Sequence, residues 1–151
     1  MDDKLKTDRG PMSKEPDKII NLTIPMVPDM EIAASKTAEA VAEVMNLEED
    51  KTAEVSMALI EACLNSFEHS HSKDRKVYIT FEVRSDLLTI KLRDSGAGFD
   101  PKKVEEPDIR KKLMPGIRKR GWGLKLMENM MDSIDIDTGP GGTTITMTKR
   151  K

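Results

Sequence analysis

The sequence predicts a two-layer α/β sandwich, in which a mixed β-sheet carries helices on one face. Two observations lead to it. Apolar residues recur with a period of two in some segments and near 3.6 in others, and these segments alternate along the chain as strand, helix, helix, two strands, an irregular segment, helix, two strands. The second helical segment is apolar around most of its circumference, so it has to be buried between other elements.

Taken in order, residues 1–17, with Gly10, Pro11 and Pro16 among alternating charges, hold too little apolar surface to offset their ordering entropy. They are expected to form a mobile tail, ahead of a domain spanning 18–151. Ile19, Ile20, Leu22 and Ile24 form a β-branched run closed by Pro25 and Pro28, which suits one strand near a sheet edge. Met30, Ala34, Ala38, Val41 and Met45 then recur at helical spacing, and Asp29 and Glu31 suit the opening turn of a helix over 29–46. A second helix is expected from about Glu48 to His69, followed by a turn at Ser70–Asp74. Val77, Ile79, Phe81 and Val83 alternate with polar neighbours, as do Leu88, Ile90 and Leu92, giving two strands over 76–84 and 87–93 with a hairpin at Arg84, Ser85 and Asp86.

The segment from Ser95 to Gly121 breaks this regularity with scattered Gly, Pro and charge. An irregular stretch of that length inside one domain has the character of a functional lid, placed at about 99–121. A short helix over 124–131, a strand over 134–137, a turn at Gly139–Gly142 and a last strand over 143–148 complete the domain.

Composition narrows the function. The chain is 37% hydrophobic, 34% charged and 3% aromatic with a net charge of -2, so no global field recruits nucleic acid or an anionic membrane. Cys63 is the single cysteine, which excludes an internal disulfide and any multi-cysteine zinc site and suits a reducing compartment. No apolar run is long enough to span a bilayer, and the charged N-terminal residues have no signal-peptide pattern. A soluble cytoplasmic protein is expected.

Four segments hold residues suited to chemistry. On the second helix Glu54, Glu61, Asn65 and Glu68 fall within a sector roughly 60° wide at 100° per residue. Such a stripe is either a salt-bridged solvent edge or the wall of a pocket, where Glu61 acts as a base and Asn65 offers an amide oxygen to a hard cation. Asp94, Gly96 and Gly98 follow directly on a strand, where an acidic side chain can accept from an exocyclic amine and glycines admit a ligand close to the backbone. No GxxxxGK[ST] phosphate loop is present, and Pro101 interrupts a dinucleotide fingerprint. Arg120, Gly121, Trp122, Gly123 and Leu124 open a helix whose N-terminal amides suit phosphate oxygens. Six cations and no acids occupy positions 110–121, which suits a basic loop over polyphosphate or simply a solvated one, while nucleic-acid binding would call for more stacking aromatics than Trp122. Finally, Gly142, Thr143 and Thr144 supply hydroxyls at the start of a strand, able to join Asp94 in a hydrogen-bond network with a purine. Glu68, His69 and His71 are close enough in sequence for a metal site, and Cys63 falls on the apolar side of its helix as inert core.

In fixed order, Glu61-x-x-x-Asn65, Asp94-x-Gly96-x-Gly98, Gly121-x-Gly123 and Gly142-Thr143 resemble the nucleotide boxes of the GHKL ATPases, which include gyrase, chaperone, histidine-kinase and mismatch-repair members. From Lys18 to Arg150 the chain is similar to the stand-alone serine kinases of the RsbW type, which act as anti-sigma factors. EACLNSFEHS, RGWGLKLMENMMD and GGTTITMTKR carry that likeness. No histidine-bearing dimerisation segment is seen ahead of the domain, which sets the chain apart from an intact sensor kinase.

The resemblance implies ATP and Mg²⁺ as cofactors. It makes Glu61 the general base or orienting group for an attacking hydroxyl, Asn65 the Mg²⁺ ligand and Asp94 the acceptor for the adenine amino group. Gly96 and Gly98 would shape the adenine side, Gly121 and Gly123 would hinge the lid and meet the phosphates beside Leu124, and Thr143 would sit behind Asp94. Lys119 and Arg120 would be phosphate contacts held by no fixed motif position. A histidine near the first box is structural in such proteins, which assigns His69 and His71 no metal. The implied partners are a STAS-domain anti-anti-sigma protein and a sigma factor, with a homodimer as the working state and no direct nucleic-acid or membrane contact. Alternatives are a non-catalytic nucleotide-gated binding module and a detached histidine-kinase catalytic domain.

Overall fold

The structure, a computed structural model, describes residues 15–96 and 122–151. Its elements are β1 (Lys18–Pro25), α1 (Met30–Val44), α2 (Glu49–His69), β2 (Lys76–Val83), β3 (Leu87–Asp94), α3 (Trp122–Met130), β4 (Ser133–Gly139) and β5 (Gly142–Arg150). The strands form one five-stranded sheet in the order β1-β2-β3-β5-β4.

All four strand pairs are antiparallel, which corrects the expectation of a mixed sheet. The reason is the β4–β5 hairpin, turned between Gly139 and Gly142. Its second strand lies beside β3, so β3 and β4, which run the same way, never become neighbours. The strand expected near an edge, β1, is an edge strand, as its prolines require. Between β2 and β3, the Arg84 amide donates to the Leu87 carbonyl at 3.0 Å, closing the expected hairpin.

Period-two patterning becomes two apolar rows that cross the whole sheet. Ile20, Phe81, Ile90, Met147 and Ile134 are successive cross-strand partners, as are Leu22, Ile79, Leu92, Ile145 and Ile136. The central members of both rows are buried, and the edge members Ile20, Leu22, Ile134 and Ile136 are half-buried against them. Burial of Phe81 alone is worth roughly 3 kcal/mol. The opposite face of the sheet is polar, with Asn21 bonded to Thr80 and the Arg93 guanidinium 4.4 Å over the Tyr78 ring.

The helices pack on the apolar face. On α2, Val55, Ala58, Leu59, Ala62 and Cys63 have no exposure, and on α1 Ala34, Ala38 and Ala42 are equally covered. Small side chains let these two helices approach closely, and the hydroxyls of Ser35 and Ser56 meet between them. Asp29 precedes α1 with φ 78° and no side-chain capping bond, so it turns the chain rather than capping the helix. Helix α3 begins at Trp122, two residues earlier than its apolar pattern indicates, because a glycine-containing turn has no periodicity to read.

Cys63 is core, as expected. Desolvation, with a smaller contribution from the Glu31 carboxylate, pushes its thiol pKa up from 9.0 to about 12. Only the unfolded chain ionises the thiol between those values, so the stabilisation it contributes is present below pH 9 and is lost as pH approaches 12. Cys63 should therefore resist a disulfide reagent at pH 8 and react fully once denaturant unfolds the chain. Labelling of the native protein at the rate of a free thiol would contradict this burial.

Candidate functional site

The inward-facing file of β3 runs Leu88, Ile90, Leu92 and then Asp94, so a carboxylate occupies the position where the pattern asks for another aliphatic residue. Asp94 is 4% exposed. A buried carboxylate is costly unless it is bonded, and both of its oxygens are. Oδ2 accepts from the Ser66 hydroxyl at 2.8 Å, and Oδ1 accepts from the Gly96 amide at 2.9 Å. Thr143 is its cross-strand neighbour on β5, likewise buried. The Thr143 hydroxyl pairs with that of Thr138 at 2.8 Å, so Thr143 stands beside Asp94 by strand register, its hydroxyl turned to β4.

Glycine is required twice around this carboxylate. Gly142 adopts φ +136°, and a Cβ there would lie 2.1 Å from the Asp94 carbonyl oxygen. A Cβ on Gly96 would lie 1.8 Å from the Ser70 carbonyl oxygen at the end of α2. The last turn of α2 therefore grips the Asp94–Gly96 turn from two sides, through the Ser66 hydroxyl and the Ser70 carbonyl.

The polar stripe of α2 divides into parts with different uses. Glu54 accepts from the Lys149 ammonium at 2.8 Å, which is the salt-bridge reading. Glu68 lies 3.5 Å from His69 Nε2 on a partly exposed surface. Glu61 and Asn65 instead converge on the first turn of α3. A Cβ on Gly123 would fall 2.8 Å from Glu61 Oε2, 2.8 Å from Asn65 Nδ2 and 3.1 Å from Asn65 Oδ1. The missing side chain of Gly123 thus lets a carboxylate and an amide come close to a helix N-terminus, where backbone amides favour anions. The hard amide oxygen of Asn65 suits Mg²⁺, which takes one or two protein ligands and fills its shell with water and phosphate, while the Glu61 carboxylate is placed as a base. Among the described residues no cluster of three or more His, Cys, Asp or Glu side chains could hold a metal ion, and this includes Glu68, His69 and His71.

Leu124 follows Gly123 and is half-buried against the core. Gly98, Lys119, Arg120, Gly121 and the basic segment expected as a lid lie outside the described residues, as do residues 1–14.

Two contributors escape a reading by motif. Ser66 interrupts the buried stripe of Ala62 and Cys63 with a hydroxyl, and that small polar residue at a core position was the available signal. Lys149 occupies the inward file of β5 after Ile145 and Met147, with its side chain 7% exposed. Its ammonium donates to Glu54 and also to the Met130 carbonyl at the end of α3, so it ties α2, α3 and β5 together. A cation at a helix C-terminus is favoured by the dipole, and loss of one partner of such a pair leaves the other unpaired.

Gly96→Ala should destabilise the fold by about 2 kcal/mol or more, because the obstacle is backbone. Gly123→Ala, which meets only side-chain ends, should cost much less. Denaturant titration of the two variants checks the contrast, and equal losses would contradict the assigned packing.

Three comparisons bear on this arrangement. A family model described as the histidine kinase-like ATPase domain matches residues 25–149. The chain is 34% identical over 104 residues to an anti-sigma F factor of Bacillus velezensis, covering 66% of this chain and 70% of that one. It is 29% identical over 138 residues to the serine-protein kinase RsbW of Bacillus pumilus, covering 87% of this chain and 85% of the relative. In fold it is similar to the crystal structure of the RsbU and RsbW domains of a Mycobacterium tuberculosis protein, with a TM-score of 0.66 at 17% identity over 89% of this chain and 33% of that one. The boxes read from the sequence, the sheet with helices on one face and the family match agree, and the chain belongs to the histidine kinase-like ATPase family as an RsbW-like member.

Proposed function

We propose that this RsbW-like serine kinase uses ATP and Mg²⁺ to phosphorylate a STAS-domain anti-anti-sigma protein, and holds a sigma factor when that partner is unavailable. The observation that carries the reading is the convergence of Glu61 and Asn65 on Gly123, on the same helix as Ser66, the residue after Asn65, which bonds the buried Asp94. Phosphoryl transfer asks a protein mainly for positioning and charge stabilisation. Asp94 accepts from the adenine amino group, with Gly96 and Gly98 shaping that side and Thr143 behind it. Asn65 holds Mg²⁺, which when bound neutralises the phosphate charge. Gly123 and Leu124 in the first turn of α3, with Gly121 just ahead of it in the chain, receive the phosphates, and Lys119 and Arg120 add positive charge. Glu61 orients the attacking serine hydroxyl and takes its proton.

On this reading residues 1–17 form a tail, residues 18–151 form the kinase domain, and the segment near 99–121 is its lid. The protein works in the cytoplasm as a homodimer in a partner-switching pair that regulates transcription. Support for the two protein partners comes from the relatives named anti-sigma F factor and RsbW.

Incubation with labelled ATP and candidate STAS proteins should give acid-stable phosphoserine on the partner. Glu61→Ala should lower the transfer rate about 10²- to 10⁴-fold with the fold intact, the range expected for a general base. Acid-labile phosphate would instead point to a histidine acceptor, and tight ATP binding without transfer would leave only a nucleotide-gated binding module. Asp94→Asn, which turns an acceptor toward a donor, should weaken ATP binding by about 1 to 3 kcal/mol by calorimetry. Unchanged affinity would remove Asp94 from the adenine site.

A further inference from the structure

We infer that Ser66 is a positioning residue that holds the Asp94 carboxylate in its acceptor orientation and thereby selects purines with a 6-amino group. This rests on the proposed reading of Asp94 as the adenine acceptor and adds the residue that sets its selectivity. Ser66 and Asp94 are 5% and 4% exposed, and the hydroxyl of one donates to Oδ2 of the other at 2.8 Å across 28 residues of sequence.

The choice of partner is informative. A serine inside a helix ordinarily turns its hydroxyl back to the carbonyl one turn earlier or out to solvent. Ser66 does neither: its hydroxyl reaches a carboxylate at the end of β3, while its carbonyl accepts the usual helical bond from the Ser70 amide at 3.0 Å. The Gly96 amide holds Oδ1 at 2.9 Å. With one internal donor on each oxygen, rotation of the carboxylate about its own axis breaks two bonds, so its plane is set before any ligand arrives.

An ionised carboxylate offers about four acceptor sites. Two are taken, and the group that remains is acceptor-only toward a ligand. It can receive an amino N–H and repels the carbonyl oxygen that a 6-oxopurine presents at the same place. An alanine at position 66 would fill the helix equally well, since its helix propensity is higher, so helix formation does not account for the hydroxyl.

The test is calorimetry of the full chain with ATP and with purine riboside triphosphate, which lacks only the 6-amino group. Three variants are compared: Ser66→Ala, Ser66→Cys, which preserves size but donates weakly, and Asp94→Asn, with circular dichroism and melting to establish folding. The native chain should prefer ATP. Ser66→Ala should reduce that preference about tenfold by weakening ATP alone, the scale of a hydrogen bond to a charged group. Ser66→Cys should fall between, and serves as the readout should Ser66→Ala not fold. Combining Ser66→Ala with Asp94→Asn should add little to Asp94→Asn alone, because both act on one contact.

Equal weakening of both nucleotides by Ser66→Ala, or a preference unchanged from the native chain, would overturn the role of Ser66 while Asp94→Asn still abolishes the preference. A preference for ATP retained in Asp94→Asn would overturn the adenine reading of Asp94 and the inference with it.

Discussion

The arrangement depends on the seating of α2 along the apolar face of the sheet. Val55, Ala58, Leu59, Ala62 and Cys63 are fully covered, and they lock the rotation of this helix about its axis. Any other rotation would expose aliphatic surface, so the polar side chains of α2 have no freedom to choose where they emerge. Ser66 is brought to Asp94, Glu61 and Asn65 to the first turn of α3, and Glu54 to Lys149. Hydrophobic burial thus supplies the precision of the candidate site, although none of these five apolar residues takes part in it.

The sheet carries charge at both ends of its inner face, where a sequence built for packing alone would place aliphatic residues. At one end the buried carboxylate of Asp94 is held by a hydroxyl and an amide. At the other, the buried ammonium of Lys149 is shared between a carboxylate and a helix-end carbonyl. Both break the local rule for an inward strand position, and departures of that kind gather where a fold is used or where separate elements are tied. The two serve differently: Asp94 lies beside the tightly packed turns at Gly96 and Gly142, whereas Lys149 joins α2, α3 and β5 at the far end of the strands. Because α3 is held at its end by Lys149, its first turn stays opposite Glu61 and Asn65.

The net charge of -2 conceals an uneven distribution. Residues 101–120 hold eight Lys and Arg against three Asp and Glu, and they connect β3, which ends at Asp94, to α3, which begins at the turn carrying Gly123. The most basic stretch of sequence is therefore tethered at both ends to elements of the candidate site.

Much of this was legible in the sequence because it is local. Alternation in Val77–Val83 and Leu88–Leu92 marked strands and their buried faces, Pro25 and Pro28 marked an edge, and the spacing of Glu61 and Asn65 placed them on one side of a helix. Box order along the chain was enough to identify the family. What the sequence could not decide was which elements become neighbours. The antiparallel sheet follows from where the β4–β5 hairpin inserts, a choice made by burial of whole rows such as Phe81, Ile90 and Met147 together. Likewise the split of one stripe into Glu54 at Lys149 and the pair Glu61 and Asn65 at Gly123, and the meeting of Ser66 with Asp94, arise from how α2 lies across strands distant in the chain. Period and turn chemistry act over a few residues and can be read one segment at a time, while hydrogen bonds between buried groups exist only after packing has excluded water and brought their partners within reach.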